Sequence, residues 1–152
     1  MTTTLSPNVS PKLAEFLKGT KQLFIDGEFV DSVSGKVFET MNPATGEVLA
    51  RVSEAQSEDI DLAVKAARKA FDDGPWRRMN AAERSRLIYK LADLMEENKL
   101  ELAQLETLDN GKPFRETSNA DIPLAIEHFR YFAGWSTKIM GQTIPVAGNF
   151  FN

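Results

Sequence analysis

The chain has 152 residues, of which 42% are hydrophobic, 26% charged and 9% aromatic, the proportions of one globular domain rather than of a disordered or fibrous protein. Its 18 Lys and Arg stand against 22 Asp and Glu, a formal net charge of -4, which is the wrong sign for phosphate backbones and excludes nucleic acid as an expected partner. With no cysteine and a single histidine, His128, the sequence offers no thiol nucleophile, disulfide or thiolate metal centre, and a zinc site is not expected.

No apolar run approaches the roughly 18 residues that cross a bilayer. Met1 to Ser10 has neither the basic stretch nor the apolar core of a secretion signal, so a cytoplasmic protein without membrane contact is expected. Residues 1–20 read as a flexible arm, opening with Thr, Ser and Pro and carrying one small amphipathic helix, Pro11 to Lys18, stopped by Gly19. Asp26-Gly27 between Leu23-Phe24-Ile25 and Glu28-Phe29-Val30 is a hairpin signal, because both turn positions need positive φ. A second β-rich pair, Val37 to Met41 and Glu47 to Val52, flanks the turn Asn42-Pro43-Ala44-Thr45-Gly46. Together these segments predict a small antiparallel sheet.

From Ser57 the apolar period becomes helical, with Ile60, Val64, Ala67 and Phe71 in step until Gly74-Pro75. Asn80 with Glu83 predicts a capping box, followed by a stripe of Leu87, Leu91 and Leu94 that Ile88 and Met95 widen. Asn98 with Glu101 repeats the box, and Leu102, Leu105 and Leu108 carry a third helix to Asn110-Gly111. Asp121 is positioned to cap a fourth, with Pro123 in its first turn and Leu124, Phe129, Phe132 and Trp135 following, up to Gly141. The extended segment from Thr143 to Asn152 closes the sequence. The fold class is therefore α-rich α+β, four main helices beside a small antiparallel sheet.

Candidate chemistry is sparse. His128 sits mid-helix and reads as a helix residue rather than a catalyst. Glu96-Glu97 and Asp72-Asp73 lie at helix ends in charge-rich sequence and read as solvated surface. Trp76-Arg77-Arg78 could hold an anion or stack at an interface, with helix-junction packing the favoured alternative. The glycines show neither the Rossmann fingerprint nor a Walker loop. No complete active site emerges from local motifs.

Several segments taken in order do resemble a known family. The hairpin Phe24-Ile25-Asp26-Gly27-Glu28-Phe29, the turn Asn42-Pro43-Ala44-Thr45-Gly46-Glu47 and the helix Ala63 to Phe71 are similar to the N-terminal part of NAD(P)-dependent aldehyde dehydrogenases of the betaine and mitochondrial type. So are Trp76-Arg77, Leu91-Ala92-Asp93-Leu94, Leu105 to Pro113 and Arg130-Tyr131-Phe132-Ala133-Gly134-Trp135. The resemblance implies an α/β enzyme several times longer, which oxidises an aldehyde substrate with NAD or NADP through a cysteine nucleophile, a glutamate base and a Rossmann-type cofactor domain. None of those motifs lies in residues 1–152, so the resemblance implies no catalytic and no cofactor-binding residue here, no cofactor held by this chain alone, and a truncated or fragmentary product inactive by itself.

The resemblance divides the chain into the arm 1–20, a scaffold over 21–147 and, over 148–152, the start of a strand that joins the oligomerisation sheet of complete enzymes. It places Ala120 and Leu124 on the wall of the substrate tunnel, with plain helix packing as the alternative. It also matches Met41, through its backbone carbonyl, and Asp109 to two ligands of a structural cation whose remaining ligands lie downstream. The expected partners are a second copy of the chain or a complementary fragment. A helical interaction module docking on a full-length homologue and a non-functional gene remnant are the competing readings.

Overall fold

A computed structural model describes residues 9–142 and 146–150. Its elements run in the order α1 (Pro11–Phe16), β1 (Thr20–Lys21), β2 (Leu23–Ile25), β3 (Glu28–Val30), β4 (Val37–Met41), β5 (Val48–Ser53), α2 (Ser57–Asp73), α3 (Pro75–Arg78), α4 (Ala81–Glu97), α5 (Lys99–Asn110), α6 (Phe114–Glu116), a π-helical turn (Thr117–Asp121) and α7 (Ile122–Ala133). The α-rich α+β class holds. The expected hairpin forms with Phe24 opposite Phe29, and Asp26 and Gly27 take φ of 52° and 88°, the left-handed pair that a two-residue turn requires.

The small sheet departs from expectation in two ways. The hairpin β2–β3 stands apart from a three-stranded sheet ordered β1-β5-β4. Within that sheet β4 and β5 are antiparallel, but β1 joins β5 in parallel through Thr20 and Lys21. A two-residue strand has no alternation to read, which is why the sequence pattern does not reveal it. Where β4 ends, a register irregularity between Thr40 and Met41 breaks the ladder.

Residues 9–20, expected in a loose arm, are firmly docked. Leu13, only 2% exposed, forms with Leu17, Leu49 and Ala50 a core cluster against which Val9, Leu105 and Leu108 pack. The docking is also polar. The Ser10 hydroxyl accepts from the Leu13 amide (3.1 Å) and so caps α1, while the Ser10 amide donates to Gln104 Oε1 (2.9 Å) and its hydroxyl to Glu101 (3.2 Å). Residues 1–8 lie outside the described residues.

The Asn80–Glu83 box forms as expected, the Glu83 amide donating to Asn80 Oδ1 at 2.9 Å and the Asn80 amide to Glu83 Oε2 at 3.2 Å. The second box does not. A single residue, Asn98, separates α4 from α5, and its backbone (φ -106°, ψ 18°) is not the extended one an N-cap needs. Its side-chain amide instead donates back to the Leu94 carbonyl (2.7 Å), closing α4, while its oxygen accepts from Lys12. Glu101, freed from capping, is the residue that receives Ser10.

Helix α4 packs on α7, but through a different stripe from the one expected. Ala92 is fully buried and Ser85, Ile88 and Met95 are half-buried, whereas Leu87, Leu91 and Leu94 are exposed. The opposing surface of α7 offers Ile126, at 1% exposure, and Ala133. Small residues let the two backbones approach, and Arg130 on α7 ties the rim to Asp93 (3.4 Å), Glu96 (3.5 Å) and Glu127 (3.1 Å). Helix α7 ends at Ala133 rather than near Gly141: beyond it Gly134 donates to Tyr131, Trp135 to Phe132 and Lys138 to Trp135, three-residue spacings that tighten the backbone out of the α-helix. Thr143 to Pro145 and Phe151-Asn152 lie outside the described residues, and Gly148 to Phe150 forms no strand.

One carboxylate organises the junction between sheet and helices. Asp59, 2% exposed at the third position of α2, accepts from the Gln56 amide (2.8 Å), the Val33 amide (2.9 Å) and the Ser32 hydroxyl (2.8 Å). The Gln56 and then the Val33 amide hold its carboxyl below the ordinary value of 3.8, against the opposing effect of burial, with Ser32 adding to the lowering. A carboxyl depressed in the fold stabilises it above the unfolded value, and that contribution is lost as pH falls through the folded one. Asp59→Asn should therefore lower the urea midpoint at neutral pH and lose its difference from the parent in acid, as paired urea titrations would show. Leu13→Ala should cost about 2–5 kcal/mol in the same assay if the arm belongs to the core.

Candidate functional site

Two local constructions carry the positions singled out in the sequence. The first is a groove of about 440 Å³ between the sheet and α5, lined by Phe16, Leu49, Val52, Leu105, Thr40 and Asp109 among others. It exists because α1 and the sheet pack on one flank of α5, bringing the end of β4 to the last turn of that helix. Thr40 Oγ1 donates to Asp109 Oδ1 at 3.1 Å, so the strand end that bears Met41 and the helix end that bears Asp109 are brought together. Asp109 is exposed on a helix C-terminus, where the macrodipole opposes a negative charge. Among the described residues no group of three His, Cys, Asp or Glu side chains is placed to hold a metal ion.

The second construction is the π-turn. A helix running from Phe114 to Ala133 has to accommodate Pro123, which lacks an N–H and crowds the preceding turn. The backbone accommodates this with a single π-helical turn over Thr117–Asp121, which takes up one extra residue. Asp121 consequently does not cap a new helix: it has helical φ and ψ of -64° and -55° and makes no capping bond. Its carboxylate pairs instead with Lys112, and this hydrogen bond raises the lysine above its ordinary value of 10.5. Thr117, wholly buried, is the inner anchor, its hydroxyl 2.9 Å from Thr107 Oγ1, 3.0 Å from the Ala103 carbonyl and 3.1 Å from the Phe114 carbonyl.

Ala120 lies half-buried within this turn, and Leu124, one turn on, is 57% exposed. His128, on the same helix, is exposed with Nδ1 2.8 Å from the Leu124 carbonyl and its ring 6.4 Å from that of Phe132, a surface helix residue. Arg77 reaches the Asp72 carbonyl (3.4 Å), so Trp76-Arg77-Arg78 closes the α2–α3 junction. Thr117 and Ser10 escaped the sequence reading. The only signal for the π-turn was Pro123 itself, read as a helix start rather than as an interruption.

The same fold recurs in known proteins. The sequence profile described as "Aldehyde dehydrogenase family" matches residues 29–152. The Bacillus subtilis protein DhaS is 68% identical over 97% of this chain and 30% of its own length. The mitochondrial aldehyde dehydrogenase of Rattus norvegicus is 49% identical over 97% of the chain and 28% of its own. An NAD+ complex of an aldehyde dehydrogenase from Bacillus cereus superposes with a TM-score of 0.91 at 58% identity, covering 94% of this chain and 29% of that one. The chain thus spans about 30% of the length of the relatives it matches. Because Thr117 ties the π-turn to α5, Thr117→Val, which keeps the shape and removes the hydroxyl, should cost about 1–3 kcal/mol in a urea titration without altering helix content by circular dichroism.

Proposed function

Since the chain belongs to the aldehyde dehydrogenase family, corresponding to its N-terminal part, we propose that it supplies the scaffold of an NAD-dependent enzyme oxidising an aldehyde to a carboxylic acid. One observation carries this reading: nearly the whole chain superposes on the first part of a complete, NAD-binding relative, while its own sequence contains no cysteine for the acyl-forming step. The nicotinamide, when bound by the complete protein, takes up the hydride. This chain's share is positional. Leu124 projects from α7, more than half exposed among the described residues, and with Ala120 it would form the tunnel wall that an aldehyde passes, Thr117 and the Lys112–Asp121 pair fixing the turn that presents them.

The Met41 carbonyl and Asp109 would supply part of a structural cation site. The fit is partial: Thr40 and Asp109 give oxygen donors beside the groove, and a cation would relieve the charge at the end of α5. The described residues do not complete a coordination shell, which is in keeping with ligands contributed from elsewhere in a longer protein.

The second reading, an interaction module that docks on a full-length homologue, a complementary fragment or another copy, is favoured by its apolar surface. Phe24, Phe29, Phe71, Tyr131, Phe132 and Ile139 are all well exposed, more than a solitary domain carries without a partner. We place the protein in the cytoplasm on its sequence; among the described residues no helix is long and apolar enough to cross a membrane.

The purified protein, mixed with NAD and a panel of aldehydes, should show no NADH absorbance and no saturable NAD titration. Turnover that follows it through purification would overturn the scaffold reading. Sedimentation separates the second reading: co-migration with a full-length relative supports docking, and an inert monomer counts against it.

A further inference from the structure

Asn110-Gly111 is the one Asn-Gly step in the sequence, and it is where α5 ends. In an unconstrained polypeptide such a step is chemically labile, because glycine offers its amide nitrogen no steric protection. That nitrogen attacks the Asn110 Cγ carbonyl carbon and gives up its proton, and the Cγ–Nδ2 bond breaks to release ammonia and leave a cyclic imide. Water then opens the imide at either carbonyl, producing aspartate or its backbone-rerouted isomer, isoaspartate.

The folded protein holds every participant away from this reaction. Asn110 is exposed, so water reaches it, but its backbone is the last helical residue of α5. The attacking group is engaged: the Gly111 N–H donates to the Thr107 carbonyl at 3.0 Å. The side chain is held too: Asn110 Oδ1 accepts from the Lys112 amide at 2.7 Å, which polarises its carbonyl but fixes the orientation of Cγ while the cap stays closed. Gly111 sits at φ 80° as the left-handed cap, and the Asn42–Gly46 turn lies over it so closely that an added Cβ would come within 2.9 Å of Pro43 Cγ. Opening the cap therefore requires displacing Pro43.

We infer that Asn110 is a fold-gated deamidation site, silent in the native protein and reactive once the α5 cap opens. Its product would be self-sustaining. A new carboxylate beside Asp109 adds negative charge where the helix macrodipole already disfavours it, and isoaspartate inserts a methylene into the backbone between the last residue of α5 and the Gly111 cap, just ahead of the Lys112–Asp121 pair. A molecule that has once opened this end would then bear a permanent mark, of the chemical class that isoaspartyl carboxyl methyltransferases recognise.

The test incubates the purified protein in warm, mildly alkaline buffer with and without urea and follows the tryptic peptide Leu100–Arg115 by mass, uncleaved at Lys112 because Pro113 follows. Isoaspartate is scored by transfer of a labelled methyl group. The expected result is conversion at Asn110 at least about tenfold faster in urea, the signature of a reaction gated by local opening. Pro43→Ala, which uncovers the cap at an exposed turn, should raise the native rate severalfold and leave the urea rate unchanged. Equal rates in the two buffers, a different asparagine reacting first, or a Pro43→Ala native rate equal to the parent's would each overturn the inference.

Discussion

Much of the described fold is referred to α5. The sheet and α1 lie along one flank, where Leu105 and Leu108 meet the Leu13, Leu17, Leu49 and Ala50 cluster. The π-turn lies against another, where Thr117 reaches the Ala103 carbonyl, and α4 and α7 close a third side. Ala103, fully buried, is what allows this: a methyl group is small enough for the Thr117 hydroxyl to come within hydrogen-bond reach of the Ala103 carbonyl. A helix surrounded in this way has little freedom at its ends, so the C-terminal residues Asp109, Asn110 and Gly111 inherit a fixed position from packing several residues away.

The same arrangement explains the uneven surface. Core formation here uses small and medium side chains in the α4–α7 seam and one compact aliphatic cluster beside the sheet. The aromatic residues are largely left outside, along α2, the β2–β3 hairpin and the outer side of α7. Exposed aromatics thus lie on three separate elements, and the relatives are more than three times as long as this chain.

Much of the architecture was legible in the sequence, and the reasons are local. Asp26-Gly27, Asn80–Glu83 and Asn110-Gly111 each specify backbone geometry within four residues, and each forms as read. Several of the failures are cases where a distant partner decides. Asn98 forgoes its box because Lys12 and the end of α4 claim it, and Glu101 turns to Ser10 across the fold. The leucine stripe of α4 has a convincing period, but a period does not say which face meets a neighbour; Ala92 and Ile88 do. Of the site positions, Asp109 meets Thr40 across 69 residues of sequence, which no spacing rule anticipates; the resemblance rather than the residue pattern drew attention to Asp109 and Met41, and Thr40 was not singled out.

The π-turn has a consequence for how this region can vary. A π-turn spends one residue more than an α-turn on the same rotation, so each later residue is set back by about 100° from its azimuth in an unbroken α-helix; Thr117 faces α5 and Ile126, on the same continuous rod, is buried on the side of α4. Phase is then the protected quantity beyond Asp121, and the turn is where a change of length is absorbed. A side-chain exchange at Asn119 leaves the phase intact, and removing a single residue would regularise the hydrogen bonds while leaving Leu124 and Ile126 at about their present azimuths, because the turn holds just one surplus residue. Sequence drift in this stretch is therefore tolerated by substitution and by loss of the surplus residue, and a further residue needs a second bulge to keep Ile126 in its seam.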